Sequence, residues 1–333
     1  MKHKLDQPLR IAFLLGKPVR EDSVFPTLFD LLREDSITTA VHLPKGDLPM
    51  PPWVFESAVV VQRGLGLTEL RSARTLEETG IRCCNRISAS ITLQDRGLTA
   101  QRLVDAGLPV PATMRVATWA EVVERADGQP AVVKRDDGAA GRGLNILSAA
   151  TGELPPLPPF PGPYIVQDYI SSDGQDHKLY VAGDSVKGLL KQRTPGDSSD
   201  AAGVPVAVNA ELSAIAQGVG QALELDIFGV DVLYGPSGPV IVDVNPFPGF
   251  RNIPGAPLLL ARHLASLVTG RTAECNTPNT LRHPSPVGCN RSAAAFLARL
   301  LPPGLLRQEI LPSSAQSAGS IVWYPASAPH GSS

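Results

Sequence analysis

Three oxygen-bearing side chains in the last third of the sequence have the types and spacing of metal ligands. Asp243 and Asn245 lie two residues apart in the apolar stretch IVDVNPFPGF, so a β-strand directs both to one face. The preceding stretch FGVDVLY contains Asp231, and a hairpin connected through residues 235–239 places Asp231 opposite Asp243. Carboxylate and amide oxygens suit Mg²⁺. We therefore predict a magnesium site here, and the alternative is a set of solvated strand positions.

A glycine-rich stretch offers the phosphate-binding groups that accompany such a magnesium site. DDGAAGRG, residues 136–143, includes Gly138 and Gly141, and its main-chain N–H groups could surround anionic oxygens. Lys134 ends the preceding strand AVVKR and could reach a phosphate as a point charge. The stretch matches neither the P-loop nor the dinucleotide-binding pattern, and an ordinary hairpin turn explains it equally well.

The order of predicted elements divides the chain into four parts. Residues 1–92 alternate strands with helices, which predicts an open α/β domain with a parallel sheet. Residues 93–175, with a helix from about Leu93, and residues 176–268 read as two α+β parts, and the second contains the predicted metal hairpin. Residues 269–333 are rich in Pro, Ala and Ser, so we expect partial disorder there, with SAAAFLARLL as an isolated helix.

Capping residues mark two of the predicted helices. Thr118 and Glu121 have the spacing of a capping box before AEVVERA. Asn209 suits the N-cap of a helix over residues 209–225. Between them, KLYVAGDSVKGLLKQR predicts a hairpin that turns at Gly183 and Asp184.

Composition argues against a nucleic-acid or membrane partner. The 333 residues are 43% hydrophobic, enough for two or three cores, and the net charge of −2 gives no basic surplus. The N-terminal apolar run of five residues is too short for a signal peptide, and no stretch is long enough to cross a bilayer. We therefore expect a cytoplasmic protein that acts on a small molecule or a peptide, in an oligomeric state that the sequence does not reveal.

The cysteines give no sign of a metal or disulfide framework. None of Cys83, Cys84, Cys275 and Cys289 forms a C-x-x-C pair. The adjacent Cys83 and Cys84 are interpreted as small buried residues at a strand end rather than as a redox pair. Zinc is not expected, because no histidine or second cysteine lies at ligand spacing.

Taken together, the motifs resemble the ATP-grasp superfamily. They follow one another as VVKRDDGAAGRG, VQDYI, HKLYVAGDSV, and the metal hairpin FGVDVLY with IVDVNPFPGF, and the resemblance covers residues 9–268. Two branches are closest: the ribosomal-protein glutamate ligases (RimK-type), and the inositol polyphosphate 5/6-kinases, whose metal motif ends similarly. The resemblance implies an ATP-grasp fold, in which an open parallel α/β domain precedes two α+β subdomains that grip ATP.

The resemblance also implies a role for each matching residue. Asp231, Asp243 and Asn245 match the ligands of Mg²⁺, for which we expect two ions, with Mn²⁺ as a substitute. A basic pair, Lys178 and Arg193, matches residues that act in catalysis near the phosphates. The residues that match ATP contacts are Arg96, Lys134, Gly138, Gly141, Gln167, Asp168, Tyr169, Ile170 and Lys178.

Two reactions remain compatible with these residues. A carboxylate acceptor would become an acyl phosphate and then an amide, whereas a polyol hydroxyl would become a phosphate ester. Residues 138–143 of the glycine-rich stretch contain Arg142 as their only charge and lack the histidines with which the kinases bind substrate phosphates, which favours the ligase. A nucleotide-binding module without catalysis is the third alternative, and the complete set of metal ligands argues against it.

The acceptor side is less well defined by the sequence. Gly249 closes the loop where the resemblance places the acceptor. An acceptor carboxylate needs a basic partner, and the arginines at strand ends or in loops are Arg63, Arg86, Arg193 and Arg251.

Overall fold

Three separate β-sheets organise the residues that the computed structural model describes, which are 9–136, 146–192 and 203–270. Each sheet comes from one stretch of the chain; the boundary predicted after residue 92 falls between the first and second sheets, and the one after residue 175 falls one residue inside the first strand of the third sheet. The glycine-rich loop from residue 137, Arg193 and nearly all of the tail lie outside the described residues. The domain limits themselves stay predictions.

The first sheet is parallel, as the strand–helix alternation predicted. Its strand order is β2-β1-β3-β4, and helices cover the apolar faces of its central strands. The elements are β1 (Arg10–Leu15), α1 (Phe25–Glu34), β2 (Thr38–His42), α2 (Pro52–Phe55), β3 (Val59–Arg63), α3 (Leu67–Glu78) and β4 (Arg82–Cys84).

The second sheet is antiparallel, with strand order β5-β8-β6-β7. The elements are α4 (Ile87–Thr92), α5 (Arg96–Asp105), β5 (Thr113–Val116), α6 (Trp119–Ala126), β6 (Ala131–Arg135), β7 (Ile146–Ala149) and β8 (Tyr164–Asp168). The capping box of Thr118 and Glu121 is confirmed at the start of α6. The helix predicted from about Leu93 begins three residues later, at Arg96, because the Asp95 side chain caps it by accepting a hydrogen bond from the Leu98 N–H. The short helix α4 before it was not predicted.

The third sheet is antiparallel, with strand order β11-β10-β9-β12-β13. The elements are β9 (Gln175–Ala182), β10 (Ser185–Gln192), β11 (Val204–Val206), α7 (Ala210–Leu223), β12 (Ile227–Gly235), β13 (Gly238–Pro246) and α8 (Ala256–Thr269). Asn209 caps α7 as predicted, and β9 and β10 turn at Gly183 and Asp184. Among the described residues, no helix has the length and apolar character needed to cross a membrane.

The hairpin of β12 and β13 reaches the predicted pairing by an unexpected route. Gly235 pairs with Gly238, so the connection has two residues and not the five that the sequence predicted. A β-bulge then inserts Val242 into β13, because Val232 pairs with Ile241 while Asp231 pairs with Asp243. The tighter turn and the extra residue compensate each other, and the two carboxylates still face each other.

The segment after the hairpin anchors it to the first sheet. Phe247 and Phe250 are buried in one core with β1, α1 and α8, and α8 packs against α1. Phe247, Phe250 and Asn252 all have left-handed backbone conformations, with φ of 41°, 52° and 62°. Such conformations are strained for residues other than glycine, so the packing of the two rings holds this turn in place.

Candidate active site

A row of charged side chains crosses three neighbouring strands of the third sheet. Lys178 on β9 pairs across the sheet with Asp231 on β12, which in turn pairs with Asp243 on β13. The Lys178 ammonium donates a hydrogen bond to Asp231 and forms a second ion pair of 3.2 Å with Asp176. The Lys178 ammonium therefore lies between Asp231, its cross-strand partner, and Asp176, two residues away on its own strand.

Asp243 connects this row to the helix before the second sheet. Arg96, the first residue of α5, donates from Nη1 to Asp243 Oδ1 at 3.0 Å, and both side chains are largely buried. Asn245 donates from Nδ2 to the other Asp243 oxygen at 3.1 Å. The main-chain N–H of Arg96 also donates to the Asp136 carbonyl, the first residue of the glycine-rich stretch. Arg96 thus contacts both the metal hairpin and the start of the predicted phosphate loop.

The carboxylates crowded around this row shift the pKa values of Asp231 and Lys178. Burial raises the pKa of Asp231 to about 6; Lys178 opposes this rise, whereas Asp176 and Asp243 add to it. Burial acts to lower the pKa of Lys178, but Asp231 and Asp176 outweigh it and hold that pKa above its ordinary value. The lysine is therefore a permanent cation within a cluster of negative charge.

Asp176 is a functional candidate that the sequence reasoning missed. It lies two residues before Lys178 on the same strand face, and that spacing was the available signal. Its Oδ1 atom is buried and has no hydrogen-bond partner among the described residues. An unsatisfied carboxylate oxygen beside two other carboxylates is a strong acceptor position for a cation or a ligand hydroxyl.

Lys134 joins the second and third sheets. Its ammonium donates to the Val242 carbonyl at 2.7 Å, and Val242 is the residue that the β-bulge inserts into β13. A bulged residue leaves the regular ladder, so its carbonyl is available to a side chain from another sheet. Lys134 is thereby held at the wall of a cleft rather than on the surface.

Two clefts meet at Arg96 and Asp243. The first has a volume of about 480 Å³ including its open mouth, and the side chains of Lys134, Gln167 and Ile241 help to line it. The second, of about 880 Å³ on the same measure, is lined by Gln62 of the first sheet, Ser90 of α4 and Asn245 of the metal hairpin, among others. The predicted phosphate and metal residues thus lie on the boundary between an inner cleft and a wider, more polar one.

The predicted ATP contacts in the stretch VQDYI, from Gln167 to Ile170, do not all lie in the same place. Gln167 lines the first cleft and donates to Thr113 Oγ1 at 3.0 Å. Ile170 lies close to Gly235 at the tip of the metal hairpin. The Asp168 side chain points to the other face, where it accepts from Arg125 at 3.2 Å, because neighbouring residues of a strand alternate. The Asp168 side chain thus pairs away from the first cleft, and nucleotide binding by Asp168 and Tyr169 stays a prediction.

Lys178 lines neither of these two clefts in the part of the chain that the structure describes. Its ammonium pairs with Asp231 and Asp176, where it neutralises and orients a predicted metal ligand. Its predicted roles in ATP binding and catalysis stay predictions.

The acceptor candidates separate into two groups. A side chain at Gly249 would lie 3.5 Å from Arg63 and 3.7 Å from Arg251, so these residues are neighbours beside the metal hairpin. Arg86 instead forms an ion pair of 2.7 Å with Glu224, which corrects its candidacy. Arg193, Gly138 and Gly141 lie outside the described residues, and their predicted roles stay predictions.

The donor set fits a divalent cation. Asp231, Asp243 and Asn245 supply hard oxygens from paired strand positions, and Asp176 has an unsatisfied oxygen nearby. Burial, with repulsion from Asp176 and Asp243 added to it, raises the pKa of Asp231, and a bound cation would favour its charged form. The residues predicted to hold Mg²⁺ are therefore suited to do so.

Comparisons with known proteins agree with this geometry. Residues 94–257 match the family model described as the RimK-like ATP-grasp domain. A probable alpha-L-glutamate ligase of Stenotrophomonas maltophilia is 28% identical over 220 residues, which are 62% of this chain and 75% of the relative.

Solved structures show the same fold. A RimK domain ATP-grasp protein from Sphaerobacter thermophilus superposes with a TM-score of 0.62 at 22% identity, covering 78% of this chain and 100% of that one. The ATP-grasp ligase PsnB, solved with a minimal precursor, Mg and ADP, superposes with a TM-score of 0.56 at 18% identity, over 78% of this chain and 98% of that one.

Proposed function

We propose that this chain is an ATP-grasp ligase built on the RimK-like domain matched at residues 94–257, and that its two clefts divide one reaction. ATP occupies the cleft beside Lys134 and Gln167, and a carboxylate substrate and an amine enter the cleft beside Asn245. The observation that carries this proposal is the Arg96–Asp243 ion pair of 3.0 Å, which borders both clefts. A phosphoryl group that passes from one cleft to the other must pass these residues.

The chemistry follows from that arrangement. A carboxylate oxygen of the acceptor attacks the γ-phosphorus of ATP, the bond to the β–γ bridging oxygen breaks, and ADP leaves. The amine nitrogen then attacks the acyl carbon, the carbon–oxygen bond to the phosphate breaks, and the amine proton goes to solvent. Arg96 and Lys134 neutralise phosphate charge along this path. When bound at Asp231, Asp243 and Asn245, Mg²⁺ supplies further neutralisation of the phosphates, and we expect two ions, with Mn²⁺ as a substitute.

We propose glutamate, or an amino acid like it, as the amine substrate. The S. maltophilia relative is named a probable alpha-L-glutamate ligase, and PsnB was solved with a precursor peptide. An acidic amino acid needs a basic partner, and Arg63 and Arg251 both lie beside Gly249, with Arg63 next in sequence to Gly64 of the wider cleft. A peptide or small carboxylic acid is the matching acceptor. The cytoplasmic location and the oligomeric state stay predictions.

The relatives named above do not support the polyol kinase, because they are named as ligases or share the ligase fold.

The test is amino-acid-dependent ADP release. Full-length protein, ATP, Mg²⁺ and a set of peptides should release ADP when L-glutamate is added, and mass spectrometry should show an amide-linked product. Asp243→Asn removes one carboxylate ligand and should lower turnover at least 100-fold, a typical cost of losing one charge-stabilising group, while nucleotide binding weakens less. Asp30→Asn, an exposed aspartate of α1, is the matched control and should change neither. ADP release that depends on inositol phosphates, or full activity of Asp243→Asn, would contradict the proposal.

A further inference from the structure

Three potential metal ligands meet away from both clefts. Cys84 ends β4, Asp226 precedes β12, and His263 lies in the middle of α8. Their ligand atoms all lie within 4.8 Å of one another, and the Cys84 sulfur lies 4.0 Å from His263 Nε2. The cluster therefore joins the edge of the first sheet, the third sheet and the last described helix.

The main chain around Asp226 is fixed by a buried side chain. Asn85 is fully buried, and its Oδ1 accepts from the N–H groups of Asp226 and Ile227 at 2.8 and 2.7 Å. On the other side, the Gly183 N–H donates to the Asp226 carbonyl at 2.9 Å. All of these contacts are to main-chain atoms. They hold Asp226 beside Cys84 without using its carboxylate.

Gly183 also makes room for the imidazole. A Cβ atom at this position would lie 2.6 Å from His263 Nδ1, which is closer than atoms can approach. The bare main chain therefore packs against the Nδ1 side of the ring, and Nε2 is the nitrogen directed at Cys84. The ring is presented to the sulfur in one orientation, as a metal site requires.

We propose that Cys84, Asp226 and His263 bind one Zn²⁺ ion, with water as the fourth ligand. A thiolate, an imidazole nitrogen and a carboxylate oxygen are the three ligand types that Zn²⁺ takes in proteins, usually in a tetrahedral arrangement. Binding breaks the Cys84 S–H bond, and its proton goes to solvent. The thiolate and the Asp226 carboxylate then balance the two charges of the ion.

The environment of Cys84 makes a bare thiolate costly. Burial and the neighbouring Asp226 raise the pKa of the Cys84 thiol well above its ordinary value, so without metal the sulfur keeps its proton. The sequence pointed away from zinc because the ligands come from three distant stretches with no motif spacing. The ion would tie together three elements, and its role would be structural.

Cobalt tests this site, because Co²⁺ replaces Zn²⁺ and gives a thiolate-to-metal absorption band. Metal-free full-length protein titrated with Co²⁺ should develop that band and saturate at one equivalent. Cys84→Ser should abolish the band. Cys83→Ser, the adjacent cysteine whose sulfur contacts the Ile81 carbonyl, should keep it.

Further variants exclude other binding positions. The double variant Cys275→Ser and Cys289→Ser should keep the band, and so should Asp243→Asn, since the magnesium ligands offer only oxygen. Should Cys84→Ser fail to fold by circular dichroism, His263→Gln and Asp226→Asn decide the matter, and each should shift or weaken the band. Zn²⁺ should also raise the melting temperature of the wild-type protein but not that of Cys84→Ser, His263→Gln or Asp226→Asn.

Absence of the band in the wild-type protein, or its persistence in a folded Cys84→Ser, would overturn the zinc site. Either outcome leaves the ligase proposal untouched, because none of the three residues lines a cleft within the described part of the chain.

Discussion

Lys178 shows how one side chain sets the charge of the site without lining either cleft. Lys178→Met would leave Asp231 and Asp176 close together without their cation, so we expect the free energy of unfolding to fall by about 3 kcal/mol. Lys178→Arg keeps the charge and should lose less. Urea denaturation of both variants measures the difference.

The double variant Lys178→Met and Asp231→Asn supplies the control for this effect. It removes one of the two carboxylates left without a cation, Asp231, together with the lysine, so part of the lost stability should return. If Lys178→Met were as stable as Lys178→Arg, the role assigned to Lys178 would be wrong.

Asp95 offers a second test on a single residue, through the pH dependence of the stability that its carboxylate contributes. Burial acts to raise the pKa of Asp95, but hydrogen bonds from Arg115 and the Leu98 N–H outweigh it and hold that pKa below its usual range. A carboxylate with a lowered pKa stabilises the fold above its unfolded pKa, and that contribution disappears as the pH falls through the folded value. Asp95→Asn should therefore be less stable at neutral pH, and the difference should close below about pH 4.

The substitution isolates the charge, because asparagine caps a helix as well as aspartate does. Both partners are more than one-third exposed, so solvent screening limits the difference to about 0.5–1 kcal/mol. Chemical denaturation of the two proteins from pH 7 to pH 3 provides the measurement. A difference that stays constant over this range would show that the ion pair contributes nothing.

At the scale of elements, the turn after β13 carries the metal hairpin into the first core. Phe250 is 3% exposed, and its ring lies 5.4 Å from Tyr180 and 6.2 Å from Phe247. Phe250→Ala should lower the free energy of unfolding by about 3–5 kcal/mol and loosen the hairpin, so Mg²⁺-dependent nucleotide binding should weaken as well. Phe55→Ala, at a more exposed phenylalanine of α2, is the control for calorimetry and binding. If Phe250→Ala were destabilised but bound nucleotide as the wild-type protein does, the turn would not support the site and this prediction would be wrong.

Sequence patterns were informative where one element determines the outcome. The alternation of strand and helix predicted the parallel sheet, and the spacing of Asp243 and Asn245 predicted a shared strand face. The pairing with Asp231 was right although both the turn and the register near it were wrong, since the bulge offsets the shorter connection.

Contacts between elements were beyond sequence reasoning. The bulged carbonyl of Val242 that accepts from Lys134, and the ion pair of Arg96 with Asp243, each join residues far apart in the chain. Asp176 was missed because a lone aspartate on a strand normally faces solvent, and its burial depends on how neighbouring elements pack.

For the whole molecule, the wider cleft depends on the first sheet remaining attached to the other two. Gln62 and Ser90 line that cleft, and α8 packs with α1 in one continuous core. Asn85 adds hydrogen bonds from the end of the first sheet to the start of β12. The first sheet and the metal hairpin are thus one packed unit, which suits the proposed transfer between adjacent clefts.

The central claim is that the γ-phosphoryl group of ATP passes to a carboxylate. Its most direct test uses an acceptor whose carboxylate carries heavy oxygen, incubated with ATP, Mg²⁺, L-glutamate and the full-length protein. Activation as an acyl phosphate transfers one labelled oxygen to the inorganic phosphate released when the amide forms, so mass spectrometry should find labelled phosphate in equal amount to amide. Unlabelled phosphate, or a stable phosphate ester with no amide, would contradict the account.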